Sequence, residues 1–159
     1  MTAPDRSTGW RAVRSFDATP IAWRLDAPPD PLADTVPLVL CNGIACSDSY
    51  WRDCVESLAR TRQVLRWDYR GHGRSDPPAD PSRVGVAAVV GDLVATLEAA
   101  GLGTVALMGH SYGVQVVLEA VRALPDRVGG VVAVAGAPGA PLRRVAATLG
   151  LPVADALAQ

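Results

Sequence analysis

The heptapeptide Leu107-Met108-Gly109-His110-Ser111-Tyr112-Gly113 stands at the centre of this chain. An apolar run, Thr104 to Met108, enters it, and an amphipathic run leaves it, with Val114, Val117, Leu118, Val121 and Leu124 at three- and four-residue steps as its apolar stripe. Glycine occupies 109 and 113, two residues to either side of Ser111. A strand that becomes a helix within one residue forces the residue at the bend into strained dihedrals. Small residues two positions away let strand and helix approach that closely. The spacing therefore predicts the Ser111 hydroxyl raised above a sheet edge, at a helix N-terminus where negative charge is tolerated. That is a way to present a nucleophile. A serine that merely capped the helix would give the two flanking glycines no reason to be there.

Working outward, the pattern alternates strand and helix. Val131 to Ala135 is an apolar strand after the helix that Pro125 ends, and Gly136-Ala137-Pro138-Gly139 closes it. Before the heptapeptide, Gly85 to Ala100 reads as a helix with Val86, Val89, Val90, Leu93, Val94 and Leu97 on one face and Gly101 as its stop. Val64 to Trp67 and Leu38 to Cys41 read as buried strands, with a helix from Ser47 to Arg60 between them, N-capped by Ser47, Asp48 or Ser49. Trp10 to Phe16 and Ile21 to Leu25 alternate as two short antiparallel strands around Asp17-Ala18-Thr19-Pro20. The proline-rich stretch from Asp26 to Pro37 is a surface loop, and Pro141 to Gln159 reads as helical. Strands alternating with helices from Leu38 onward predict an α/β fold, a mostly parallel twisted sheet with helices on both faces.

Composition bounds the function. The chain has 159 residues, 49% of them hydrophobic and 19% charged, enough for one domain and too few for two. Fifteen basic and sixteen acidic residues leave a net charge of −1, which gives no general attraction for nucleic acid or anionic lipid. No apolar run approaches the ~20 residues of a membrane span, and the N-terminus lacks a signal-peptide profile, so a cytoplasmic location is expected. Cys41, Cys46 and Cys54 fit no zinc spacing and read as reduced, small apolar residues. No metal and no cofactor are expected. Gly71-x-Gly73 is no dinucleotide loop, because Asp76 holds the third glycine's place.

Four segments together resemble the α/β-hydrolase superfamily: the Gly-His-Ser-Tyr-Gly bend, Asn42-Gly43-Ile44 ahead of Trp51, Asp68-Tyr69-Arg70-Gly71-His72-Gly73-Arg74-Ser75, and Val131 to Gly139. The resemblance implies a serine hydrolase of carboxylic esters or related acyl substrates, working through an acyl-enzyme. Ser111 would be the nucleophile, and the backbone N–H groups of Ile44 and Tyr112 the oxyanion hole. The family's aspartate-nucleophile members, the haloalkane dehalogenases and epoxide hydrolases, do not fit a serine at 111. The family usually has histidine where this chain has Asn42.

Two departures follow. The family's order is Ser, then Asp or Glu, then His, yet the chain's two histidines, His72 and His110, both precede Ser111. His110 should leave the turn in another direction, and His72 should shape its loop, as should Asp68, Arg70 and Asp76. After Gly136 the only carboxylate is Asp155. Residues 1–159 are therefore read as a single incomplete core domain, truncated after about the sixth strand, with 1–9 a mobile N-terminus and 140–159 the start of a lid region. Alone it is expected to be inactive, and its apolar edge strand, Val131 to Ala135, is expected to promote self-association. The competing readings are a non-catalytic member that binds a small molecule or a protein, and a fragment without a function of its own.

Overall fold

A computed structural model describes residues 9–28 and 35–136. Its centre is β3 (Leu38–Cys41), buried at all four positions. This strand lies between β4 (Val64–Trp67) and β5 (Val105–His110) and runs parallel to both. The hairpin of β1 (Arg11–Arg14) and β2 (Pro20–Asp26) joins β4 antiparallel, and β6 (Val128–Val134) joins β5 parallel. The six-stranded order is β1-β2-β4-β3-β5-β6. The expected α/β architecture is thus present, with the parallel strands contiguous and the hairpin added at one side.

Side-chain alternation along the strands divides the helices between the two faces. Leu38, Leu40, Ala106 and Met108 pack with Trp51 and Val55, so α1 (Arg52–Leu58) covers one face. Val39, Cys41, Val105 and Leu107 turn to the other side, under α2 (Val86–Ala99) and α3 (Tyr112–Ala123). That second face holds most of the fully buried side chains, Trp67, Tyr69, Leu65, Leu93 and Leu97 among them. Each such side chain contributes roughly 1.5–3 kcal/mol of transfer free energy, so this layer anchors the sheet.

Three elements differ from their expected form. The helix after β3 starts as one 3-10 turn, Asp48–Trp51, and Ser47 does not cap it. The Ser47 hydroxyl meets that of Ser49 instead, and the Asp48 N–H donates to Asp68 Oδ1 at 2.8 Å. A carboxylate twenty residues away in sequence has taken the capping role. On α2, Val94 is only half-buried, while Asp92 and Thr96 are fully buried. Gly101 ends α2 as expected: at φ +67° it lets Leu102 N–H reach the Leu97 carbonyl at 3.0 Å. On α3 the core side is Val116, Val117 and Ala120, whereas Leu118 and Val121 of the expected stripe are exposed.

At the sheet edge, β6 leaves Val131 and Val132 exposed. Among the described residues no helix is long and apolar enough to cross a membrane. The readings placed on residues 1–8, on half of the proline-rich loop at 29–34, and on 137–159 lie outside the described residues.

Candidate active site

β5 runs through His110 and α3 begins at Tyr112, leaving Ser111 alone to make the bend. Ser111 sits at φ +52°, ψ −113°, a conformation that costs an L-residue about 1–3 kcal/mol. Neighbours on both sides enforce it. Ser111 N–H donates to the Val134 carbonyl of β6 at 2.9 Å, and Val114 N–H donates to the Ser111 carbonyl at 3.1 Å. The Ser111 hydroxyl makes no capping hydrogen bond to α3.

The flanking glycines are required by contact. A Cβ on Gly109 would strike the Gly113 carbonyl, and a Cβ on Gly113 would strike the Cys41 carbonyl at the end of β3. Gly136 is a third such position, since its Cβ site is filled by Val114 and lies 2.7 Å from the Ser111 carbonyl. Because the obstacle at Gly113 is backbone, no side-chain rotation relieves it. Gly113→Ala is expected to lose about 2–3 kcal/mol of stability, the upper range for overpacking, read as a lowered urea midpoint with unchanged slope.

The register pairing Cys41 with Gly109 sets residues 42–44 beside 110–112. Asn42 is fully buried; its Nδ2 donates to the Trp67 carbonyl at 2.9 Å and its Oδ1 accepts the Trp51 indole N–H at 2.8 Å. The amide thus fixes the start of the loop where the family usually has histidine. Cys46 N–H then donates to the Gly43 carbonyl at 3.2 Å, closing a turn in which Ala45 takes φ +57°. Ile44 in that turn and Tyr112 on α3 line one cavity of about 270 Å³, with Tyr69, Pro77, Pro78 and Val86. Burial pushes the phenols of Tyr69 and Tyr112 above their ordinary value, so both rings present neutral hydroxyls at neutral pH. A larger cavity of about 520 Å³, edged by Arg24, Arg52 and Arg66, includes none of these residues.

Neither histidine is placed as a base for Ser111. His110 projects to the α1 side and stacks on Tyr50, with ring centroids 4.1 Å apart and planes at 17°. Its Nδ1 is buried without a hydrogen-bond partner among the described residues. His72 accepts the Ala45 N–H on Nε2 at 3.2 Å, and its Nδ1 lies 3.0 Å from the Arg70 carbonyl.

The remaining polar residues of the loop after β4 are structural, as expected. Buried Asp68 receives the backbone N–H groups of Asp48 and Arg74, and the backbone of Asp76, not its carboxylate, ties the loop to Gly71 and Pro20. Arg70 forms a bidentate pair with Asp92 at 2.6 and 2.8 Å and reaches Asp17 at 3.0 Å. Burial opposes its charge, but the Asp92 and Asp17 contacts outweigh burial and hold the guanidinium above its ordinary value. Asp92 and Gly136 are the contributors that sequence reasoning missed. An aspartate on a helix reads as exposed, and nothing along the chain pairs it with Arg70. Burial pushes the Cys41 thiol up to about 12, and among the described residues no group of three or more His, Cys, Asp or Glu is placed to hold a metal.

A positive-φ serine joining a parallel strand to a helix sits in a six-stranded, mostly parallel sheet, and comparison with known proteins bears on that fold. The family model for the alpha/beta hydrolase fold matches residues 36–151. The chain belongs to the alpha/beta hydrolase fold family. It is similar to the putative carbamate hydrolase RutD of Escherichia coli strain UTI89, at 32% identity over 115 residues, covering 72% of this chain and 42% of that protein. It is similar also to the esterase RhEst1 from Rhodococcus sp. ECU1013, at 32% identity and TM-score 0.70 over 80% of this chain and 46% of that one. A hydrolase from Pseudomonas aeruginosa PA01 matches at 28% identity and TM-score 0.70 over 88% and 52%. The chain spans about two fifths of the length of such curated relatives.

Proposed function

We propose that the protein in its full length is a serine hydrolase of carboxylic esters or related acyl substrates, carbamates included. The observation that carries this reading is Ser111 held at φ +52° with its hydroxyl free of any capping bond. In the proposed reaction the Ser111 oxygen attacks the substrate carbonyl carbon and gives its proton to a base. The carbonyl oxygen becomes an oxyanion facing the N–H groups of Ile44 and Tyr112. The alcohol or amine then leaves with a proton, and water hydrolyses the acyl-enzyme. Removing one oxyanion donor typically costs ~10²–10³ in rate.

We do not assign the base to His72, which bonds Ala45 and Arg70, or to His110, which stacks on Tyr50 on the α1 side. The base and its acid partner are proposed to lie outside the described residues, and the 159-residue chain alone is expected to show no turnover. The naming of similar proteins as a carbamate hydrolase and an esterase supports the reaction class. The largely apolar cavity lined by Ile44 and Tyr112, the residues proposed to supply the two N–H donors, supports an uncharged substrate group.

The test is reaction of the full-length protein with a fluorophosphonate probe, followed by peptide mass spectrometry. Rapid phosphonylation of Ser111 is expected. An unlabelled Ser111 in folded protein overturns the reading in favour of a binding-only member of the fold.

A further inference from the structure

We propose that His72 is a positioning residue for the oxyanion-facing loop, holding the turn at 43–46 in shape by accepting the Ala45 N–H. The inference rests on the proposal above that Ile44 supplies an oxyanion donor. Its own evidence is separate.

The turn closed by Cys46 N–H and the Gly43 carbonyl carries a non-glycine residue, Ala45, at φ +57°. Turns with a positive φ at this third position normally take glycine or asparagine there. Alanine keeps a standing incentive to escape, and the escape is a rotation of the Ile44–Ala45 peptide into the commoner turn with negative φ. That rotation would reverse the Ala45 N–H and move Ile44. His72 Nε2, 3.2 Å from Ala45 N, is the acceptor that opposes it.

The imidazole is itself fixed. The Arg70 carbonyl, 3.0 Å from Nδ1, can only accept, so Nδ1 carries the proton. The Ala45 amide can only donate, so Nε2 is bare. One neutral tautomer satisfies both. Arg70 is in turn immobilised by Asp92, Asp17 and the Arg83 carbonyl. A chain of contacts therefore runs from a buried ion pair on α2, through His72, to the loop beside Ser111.

The test has two arms. In the first, long-range ¹⁵N–¹H spectra of His72 should show a protonated Nδ1 and an unprotonated Nε2, and the Ala45 amide should exchange slowly. His72→Gln, whose Oε1 can stand in for Nε2, should keep that protection, and His72→Leu should lose it. In the second, ester hydrolysis by the full-length protein should fall about 10-fold in kcat for His72→Leu, a fraction of the loss for a whole oxyanion donor, with KM little changed. His72→Gln should restore most of it. Ala45→Gly, which removes the penalty at positive φ, should partly rescue His72→Leu.

A protonated Nε2, an unprotected Ala45 amide, or His72→Gln as damaging as His72→Leu overturns the proposal. So does an unchanged kcat in His72→Leu when Ser111→Ala abolishes turnover. If the wild-type protein shows no Ser111-dependent hydrolysis, the functional reading falls instead. The hold of His72 on the turn is then decided by Ala45 exchange, supported by its loss in His72→Leu and overturned by its absence in the wild type.

Discussion

Ser111→Ala in the full-length protein is expected to lower kcat for a short activated ester by about 10⁵–10⁶-fold, the scale of losing the nucleophile in a serine protease. At ~1.4 kcal/mol per decade this is about 7–8 kcal/mol of transition-state stabilisation. The same substitution should leave stability nearly unchanged. The two backbone bonds that shape residue 111 use its N–H and its carbonyl, both of which alanine retains. No side-chain cap is lost, because none is made. The pair of measurements separates two roles for this serine. A helix cap would cost ~1 kcal/mol of stability on removal and no rate. Initial rates at matched protein concentration, with urea midpoints for both forms, check it. Hydrolysis persisting within 10-fold of the wild type would remove Ser111 from the chemistry.

The largest effect on stability is expected at Asp92. Its carboxylate is fully buried against Arg70, whose side chain is 1% exposed. Asp92→Ala leaves a buried guanidinium with Asp17 as its remaining carboxylate, and breaking such a pair from one side typically costs 3–5 kcal/mol. Asp92→Asn keeps the shape and one acceptor and should cost less. Replacing both partners together, Asp92→Leu with Arg70→Met, removes the uncompensated charge and should recover much of the loss. Urea unfolding of the wild type, Asp92→Leu, Arg70→Met and the double variant gives the coupling directly. If Asp92→Ala costs under ~1 kcal/mol, Arg70 has found water or another partner and the pair is not what anchors the loop.

The strands and the bend were legible because they rest on local rules. Leu38–Cys41 is a continuous apolar run and Val64–Trp67 is apolar at every position but Arg66, and both strands have the bounds read from them. Gly109 and Gly113 around Ser111 encode a close approach that a single sequence displays. Long-range pairings were not legible. Asp68 replacing Ser47 as the cap, Asp92 meeting Arg70, and His72 reaching Ala45 span 20, 22 and 27 positions. Partners at such distances are chosen by the folded sheet. The stripe on α3 was misread in part because Leu118 and Val121 satisfy helical periodicity as well as the residues that face the sheet.

The Val134 carbonyl that receives the Ser111 amide is the last rung between β5 and the outermost strand. Rungs at a ladder's open end unzip first, at a small fraction of the cost of melting the domain. The bend at residue 111 is thus clamped from its weakest flank. Breathing of the rim would slacken the serine while the interior stayed intact, and anything that zips onto the rim would stiffen it.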